Sequence, residues 1–156
     1  MTLVDSSIAE FARKRREWQN VYSMIPRFLL YSGMDSVFSF IRENGNKVAV
    51  VSTSPRPYVE RVCRYFDIPT NIIFGYHDCG RIKPAPDGFI RAMSALNISP
   101  DNTISFGDRA IDIEASNAAG VISVACLWGT SEFSALISSN PTHTITHPSE
   151  IIDLIR

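Results

Sequence analysis

The chain has 156 residues, of which 45% are hydrophobic and 20% charged, and its formal net charge is −1. This length predicts one domain with its own core, and the balanced charge excludes a global field that would favour nucleic acid or membrane surfaces as partners. No apolar run is long enough for a membrane span, no secretory leader is visible, and the three cysteines lack disulfide or zinc spacing, so a cytoplasmic, reducing location is predicted.

The first third of the chain predicts two helices followed by a strand. Ser6 or Ser7 caps a helix that runs through residues 8–22 at three- and four-residue apolar steps and stops before Pro26. Gly33 precedes a second helix, which ends at residues 44–45. Residues 47–51 form a continuous, β-branched run, which is typical of a strand buried on both faces.

The rest of the chain alternates between strand and helix. Strands are predicted at 72–74, 103–106, 121–126 and 143–145, and helices at 57–66, 87–96, 111–119, 131–138 and from 149 onward. This alternation predicts an α/β fold with a doubly wound, Rossmann-like parallel sheet and flanking helices. Ligands of such sheets bind beyond the carboxyl ends of the strands, where Ser52 and Asp108 are expected.

Gly107-Asp108 followed by Asp112 is the most specific polar pattern. Gly107 permits a sharp turn after a strand, and Asp112 lies one helical turn after Asp108, so both carboxylates face one point. Two close carboxylates repel unless a cation separates them, and Mg²⁺ prefers such oxygen ligands. Acidic residues that complement a helix dipole are an equally good interpretation of this pattern alone.

Three further side chains are candidates for binding an anion. Ser52, helped by Thr53, ends the predicted strand and heads a helix, where it either holds a phosphate oxygen or caps the helix. Lys83, before Pro84, either balances a phosphoryl charge or is a solvated loop lysine. The basic run 13–16 is interpreted as a solvated face, with contact to an anionic substrate as the alternative.

Together these segments resemble a known family. In order, residues 48–52, 83–84 and 107–112 resemble motifs two, three and four of the haloacid dehalogenase (HAD) superfamily, and residues 2–6 (Thr-Leu-Val-Asp-Ser) resemble the continuation of its first motif; within the superfamily the likeness is to the phosphoglycolate-phosphatase-like subgroup. Most members of that superfamily are phosphatases. Their first motif reads roughly Asp-x-Asp-Gly-Thr-Leu and often continues Val-Asp-Ser, so this chain matches the continuation, and the two aspartates are expected just upstream of Thr2.

The resemblance implies a Mg²⁺-dependent hydrolase that acts on a phosphomonoester. In the family the first aspartate attacks phosphorus to form an aspartyl-phosphate, and the second acts as acid and base. It implies that Ser52, Thr53 and Lys83 bind phosphate, that Asp108 and Asp112 hold the metal, and that Lys83 and Asp108 take part in catalysis. The implied partner is a phosphorylated substrate; a homo-oligomer is left open.

The chain departs from the family pattern in two ways. Residues 8–32 leave room only for a remnant cap or linker helix before the predicted Rossmann-like core at 33–156. The first, central strand of the family fold is also missing, which leaves its two neighbours without a ladder partner. Three explanations are considered: a start further upstream, which we favour; an altered pairing; or a strand from another chain.

Two other functions compete with the phosphatase. A degenerate, catalytically inactive relative would keep the phosphate- and metal-binding residues, and little turnover is expected from the chain as written. A receiver-like signalling domain also has a doubly wound sheet, an acidic pocket and a lysine, and in it Asp108 would be the phosphoacceptor. Neither the substrate nor the oligomeric state is encoded in a recognisable pattern.

Overall fold

The computed structural model describes residues 2–156. Seven short strands alternate with eight helices and four single 3₁₀ turns in this part of the chain. The strands are β1 Val4–Asp5, β2 Leu29–Leu30, β3 Ala49–Val51, β4 Ile72–Phe74, β5 Ile104–Gly107, β6 Ile122–Cys126 and β7 His143–Ile145. The helices are α1 Glu10–Lys14, α2 Trp18–Met24, α3 Met34–Asn44, α4 Arg56–Tyr65, α5 Asp87–Leu96, α6 Ala110–Ala118, α7 Phe133–Ser138 and α8 Glu150–Ile155.

The predicted alternation is confirmed from Gly33 onward. Strands β4 and β7 and helix α5 occupy the predicted residues, and the other elements shift by a few residues at their ends. Gly33 and Gly45 both have positive φ and bound α3, as expected of glycine at helix ends. The α/β fold with parallel pairing and flanking helices is therefore as predicted.

The single helix predicted for residues 8–22 is wrong. Two helices, α1 and α2, fill this region, and Arg16 between them has a φ of 57°. The break turns the chain within three residues, since the Glu17 amide donates to Ala12 and the Trp18 amide to Arg16. The run of four basic residues begins in the last turn of α1 and ends at this break.

A two-stranded antiparallel ribbon, β1 with β2, was not predicted. It pairs Val4 with Leu30 and Asp5 with Leu29. Val4 is fully buried, whereas Leu29 is 67% exposed. The ribbon brings the two ends of the α1–α2 excursion together, so this excursion leaves and rejoins the core at one place.

The parallel strands form two separate sheets. β3 pairs with β4, and β5, β6 and β7 pair in that order, with every pair parallel. Within residues 2–156 no strand pairing joins β3 to β5. The sequence predicted this gap, because the strand expected between these two neighbours is missing.

Strand β3 is not buried on both faces as predicted. All three of its residues are half-buried, although the run is as apolar as expected. The reason is the missing neighbour, since one edge of β3 borders an open cleft. The principal core includes the fully buried Val4, Met34, Tyr58 and Val124, and both parallel sheets and the excursion contribute to it, for example through Ile73 of β4 and Val21 of α2.

None of the helices within residues 2–156 is long and apolar enough to cross a membrane.

Candidate functional site

The carboxyl ends of β3 and β5 flank the mouth of a cleft of about 1320 Å³. All five sequence-predicted site residues line this cleft: Ser52, Thr53, Lys83, Asp108 and Asp112. Four of them come from three loops that are far apart along the chain, and Asp112 lies in the first turn of α6. Lys83 contacts both the carbonyl oxygen of Val51 at the end of β3 and the side chain of Asp112 after β5, so the segments that follow these two strands meet at one place.

The Lys83 side chain links the end of β3 with the start of α6 across the cleft. Its Nζ donates to Asp112 Oδ1 at 2.5 Å and to the carbonyl oxygen of Val51, the last residue of β3, at 3.1 Å. The Lys83 and Asp112 side chains are only 12% and 10% exposed. The lysine is therefore a fixed, largely desolvated cation and not the solvated loop lysine that the sequence also allowed.

Asp112 is held by a second contact at the start of α6. Its Oδ2 accepts a hydrogen bond from the Arg109 amide at 3.1 Å. Gly107 makes this position possible, because a Cβ there would lie 2.3 Å from the Cβ of Asp112. The sequence explanation for Gly107 is thus incomplete: close approach of the Asp112 side chain, and not only a turn, requires glycine at this position.

Asp108 contacts the amino end of the chain. Its Oδ1 accepts a hydrogen bond from Thr2 Oγ1 at 2.7 Å, and the Thr2 carbonyl accepts one from Trp128 Nε1 at 2.8 Å. Asp108 is 6% exposed. Sequence reasoning quoted Thr2 only as part of a motif and missed Trp128, which no local pattern connects with a residue at the other end of the chain.

Ser52 does not head a helix, contrary to the prediction. Its amide donates to Phe74 in β4, its Oγ accepts from the Ser54 amide at 3.1 Å, and α4 begins only at Arg56. The segment between β3 and α4 is thus a turn that presents the hydroxyls of Ser52 and Thr53 to the cleft. Helix-cap use of Ser52 is excluded, and anion binding stays a prediction.

The carboxylate of Asp108 influences the pKa of two further side chains, Cys126 and Tyr31. Burial raises the pKa of the Cys126 thiol, and the nearby carboxylate of Asp108 raises it further. Burial also raises the pKa of Tyr31, with smaller contributions from Asp5 and Asp108. Both side chains therefore stay protonated at neutral pH, which makes Cys126 a poor nucleophile and leaves Tyr31 an uncharged neighbour of the acidic side.

The basic run divides between two environments. Arg15 and Arg16 are exposed, as the solvated-face interpretation expects, while Arg13 is half-buried and lines the cleft with the exposed Lys14. Arg13 also lies close enough to the buried Tyr58 to influence its pKa, although burial dominates and raises that pKa. One member of the run thus stands apart from the solvated face.

The carboxylates present are compatible with the Mg²⁺ that the sequence suggested. Mg²⁺ is commonly held by one or two carboxylates, with water and substrate phosphate completing its shell. Asp108 and Asp112 supply two such groups at one edge, and residues 2–156 contain no cluster of three or more His, Cys, Asp or Glu side chains that could hold a metal unaided. Asp112 accepts hydrogen bonds on both of its oxygens, from Lys83 and from the Arg109 amide.

Comparison with known proteins identifies the family. The model of haloacid dehalogenase-like hydrolases matches residues 3–126, which include every candidate site residue. The chain belongs to this family. The match confirms the resemblance seen in the sequence, and it favours the hydrolase interpretation of Asp108 over the receiver interpretation.

Two relatives of this haloacid dehalogenase-like chain have names that state an activity, one as a phosphatase and one as a pyrophosphatase. The phosphoglycolate phosphatase of Aquifex aeolicus is 29% identical over 121 residues, which are 74% of this chain and 54% of that protein. The pyrophosphatase PpaX of Bacillus mycoides is 25% identical over 121 residues, again 74% of this chain and 54% of that protein. The chain thus spans about half the length of these relatives.

Solved structures of the family have the same fold. The crystal structure of CbbY from Rhodobacter sphaeroides in complex with phosphate aligns with a TM-score of 0.74 at 19% identity, and covers 88% of this chain and 64% of that one. At this identity the likeness is evidence for the fold alone.

Proposed function

We propose that this chain forms the phosphate- and metal-binding part of a Mg²⁺-dependent phosphatase site that acts on phosphomonoesters. The observation that carries the proposal is the convergence of Ser52, Lys83 and Asp108, from three separate loops, on the mouth of one cleft. Membership of a hydrolase family, and the names of the relatives, support the reaction class.

Each residue has a role that follows from its contacts. The hydroxyls of Ser52 and Thr53 donate to phosphate oxygens. Lys83, held by Asp112 and the Val51 carbonyl, keeps one positive charge fixed beside the anion, so little reorganisation is needed when negative charge develops. Arg109, exposed at the start of α6, adds positive charge at the rim of the same cleft.

Asp108 and Asp112 would hold the magnesium ion. Bound there, Mg²⁺ supplies Lewis-acid stabilisation of phosphate charge. Thr2 orients Asp108 by its hydrogen bond, and Trp128 in turn fixes Thr2. In the family pattern the nucleophilic and acid–base aspartates precede the residue corresponding to Thr2, so the complete reaction would use a carboxylate delivered beside Asp108 to attack phosphorus.

The test is calorimetric titration of the chain with inorganic phosphate, in the presence and absence of Mg²⁺. We expect binding that Mg²⁺ strengthens, and an affinity in the presence of Mg²⁺ at least about tenfold lower in Lys83→Met, which removes the cation beside the anion, and in Asp108→Asn, which removes a charged ligand of the metal ion. Lys47→Met and Asp153→Asn are matched controls, since Lys47 lies before β3, away from the mouth, and Asp153 is exposed on α8.

Binding that is unaffected by Lys83→Met and Asp108→Asn would contradict the proposal, as would equal losses in the control variants. Hydrolysis of p-nitrophenyl phosphate is measured in parallel. The 156-residue chain should show little Mg²⁺-dependent turnover, because neither Asp108 nor Asp112 is proposed to be the nucleophile; robust turnover would overturn these roles.

A non-catalytic phosphate-binding protein is the second candidate. The observation that favours it is that the cleft brings together the side chains proposed to bind phosphate and metal, while neither Asp108 nor Asp112 is assigned as a nucleophile. The two candidates separate in a form of the chain that carries the family's two-aspartate segment before Thr2. Phosphate ester hydrolysis by that form supports the phosphatase, and binding without hydrolysis supports the binder.

A further inference from the structure

We propose that Arg13 determines which phosphomonoesters the cleft accepts, because its guanidinium binds a second anionic group, a carboxylate or a phosphate, on the part of the substrate that leaves. This inference rests on the proposed function and narrows its substrate class to esters with two anionic groups. The residues proposed to bind the reacting phosphate follow β3 and β4, whereas Arg13 belongs to the α1–α2 excursion, which supplies none of them.

Arg13 differs from the rest of the basic run in its surroundings. It is half-buried and lines the cleft, whereas the three basic residues after it are exposed. The Lys14 ammonium lies 2.7 Å from a carboxylate oxygen of Glu10. The Arg15 guanidinium lies 2.6 Å from a carboxylate oxygen of Glu17. The charges of Lys14 and Arg15 are thus shared with carboxylates at the protein surface.

Two buried hydroxyl groups position Arg13. Tyr58 is fully buried, and Ser6 is 2% exposed. Burial raises the pKa of the Tyr58 hydroxyl, and the charge of Arg13 together with hydrogen bonds from Ser6 and Arg13 opposes that rise. The hydroxyl therefore stays neutral at physiological pH, so it orients the guanidinium without cancelling its positive charge.

The residues that position Arg13 belong to segments at the mouth of the cleft. Ser6 directly follows β1. Tyr58 lies in the first turn of α4, where its amide donates to the Pro55 carbonyl at 3.1 Å, just after the turn that carries Ser52 and Thr53. The segment that presents the phosphate-binding hydroxyls thus also carries the side chain that orients Arg13, which holds the two anion-binding groups relative to each other.

The excursion that carries Arg13 is packed against α4. The rings of Trp18 and Tyr58 have centroids 5.9 Å apart, and the Arg61 guanidinium lies 4.5 Å from the centre of the Tyr22 ring. These contacts join α2 to α4 beside the mouth. A cation presented by packed elements loses little conformational entropy when it binds a ligand.

The chemistry of the guanidinium defines the group that it would bind. Its planar fork of N–H donors matches two oxygens of a carboxylate or a phosphate. A half-buried cation also attracts an anion more strongly than a fully solvated one, because the surrounding dielectric is lower. A neutral leaving part would gain nothing from this charge, so Arg13 would select substrates by charge.

The experiment compares phosphonoacetate with phosphonoacetamide, its neutral analogue of nearly equal shape, by calorimetric titration at fixed free Mg²⁺. In the unmodified chain we expect phosphonoacetate to bind at least about fivefold more tightly, and Arg13→Gln should abolish this preference. The affinity for inorganic phosphate should change less than about twofold in Arg13→Gln, because that ligand has no second anionic group. Arg16→Gln, at the exposed break after α1, is the matched control and should keep the preference.

Two further variants separate positioning from charge. Tyr58→Phe keeps the ring and removes the hydroxyl, and should lower the preference about two- to threefold through a misplaced Arg13. Arg13→Lys keeps the charge without the planar fork and should restore part of the preference that Arg13→Gln loses. Because the preference is a ratio of two affinities within one variant, a partly unfolded variant lowers both affinities and does not imitate the expected result.

Methylenediphosphonate distinguishes the two kinds of anion. A larger effect of Arg13→Gln on this ligand than on phosphonoacetate assigns a second phosphate, and the reverse assigns a carboxylate. An unchanged preference in Arg13→Gln, an equal fall in Arg16→Gln, or an equal loss of inorganic phosphate binding in Arg13→Gln would overturn the inference and leave the proposed function in place. Failure of the unmodified chain to bind inorganic phosphate would instead contradict the proposed function, and this inference with it.

Discussion

Strands β3 and β6 are similar in sequence and differ in environment. Both are short, parallel and apolar, but Val124, Ala125 and Cys126 of β6 are fully buried, whereas every residue of β3 is half-buried. The difference lies in pairing: among the strands of residues 2–156, β6 has β5 and β7 as neighbours, whereas β3 pairs with β4 alone. An apolar run therefore indicates that a strand is stable when it is buried, and the number of neighbouring strands decides how far it is buried.

The largest expected effect comes from cutting the link between the two sheets. Asp112→Ala removes the partner of the buried Lys83, and a buried cation without its partner costs about 3 kcal/mol in the free energy of unfolding. Urea denaturation measures this loss. Asp153→Ala, at an exposed position on α8, is the control and should change stability by no more than about 0.5 kcal/mol. If Asp112→Ala costs as little as Asp153→Ala, the ion pair between Lys83 and Asp112 does not stabilise the fold.

The difference in burial between β3 and β6 is tested directly by replacing one valine in each strand with alanine. Val124→Ala should lower the free energy of unfolding by about 2–3 kcal/mol, because it removes buried methyl groups and leaves a cavity. Val50→Ala, in half-buried β3, should cost about 1 kcal/mol, since part of this side chain already contacts solvent. Equal losses would refute the view that β3 is under-packed.

A smaller effect is expected where the amino end is fixed to the cleft. Trp128→Phe keeps an aromatic ring and removes the hydrogen bond to the Thr2 carbonyl, at a cost of about 1 kcal/mol. We expect faster hydrogen exchange and proteolysis near Thr2, together with weaker phosphate binding through Asp108. Unchanged exchange at Leu3 and Val4 would show that Trp128 does not position this segment.

The smallest effect concerns α8, which forms part of one cleft wall. Glu150 accepts from the amides of Thr146 and His147, and these hydrogen bonds lower the pKa of its carboxyl. Because the folded pKa is lower than the unfolded one, its stabilisation is present above the unfolded pKa and is lost as pH falls through the folded pKa. Glu150→Gln should cost about 0.5 kcal/mol at pH 7 and nothing at pH 2, as urea midpoints would show. An equal loss at both pH values would contradict a role for this charge.

Much of the fold could be predicted because the signals are local. The β-branched run before Ser52, the prolines before Asp87 and the glycine after α6 set element boundaries that the structure largely keeps. The open flank of β3 was also predictable, because a strand was missing between two identified neighbours. Its half-buried state was missed, since an apolar run alone does not report how many neighbours a strand has.

The site was predictable in its members and less so in its contacts. Ser52, Lys83 and Asp108 each follow or precede a recognisable element, and parallel strand ends meet at one edge. Three details were hidden: the turn that separates Ser52 from α4, the close approach of Asp112 to Gly107, and the link from Trp128 to Thr2. Each depends on segments that meet only after folding, and Arg16 broke the first helix through a backbone conformation that its residue type does not favour.

The antiparallel ribbon of β1 and β2 has a consequence for how this architecture can change. Asp5 and Leu29 are paired across the ribbon, so the segment between them begins and ends at neighbouring positions that are held together by this pairing. Lengthening a loop whose ends are already held together costs little, about 0.6 kcal/mol for each doubling. Segments of very different length could therefore replace the one between β1 and β2 without a change in the parallel sheets.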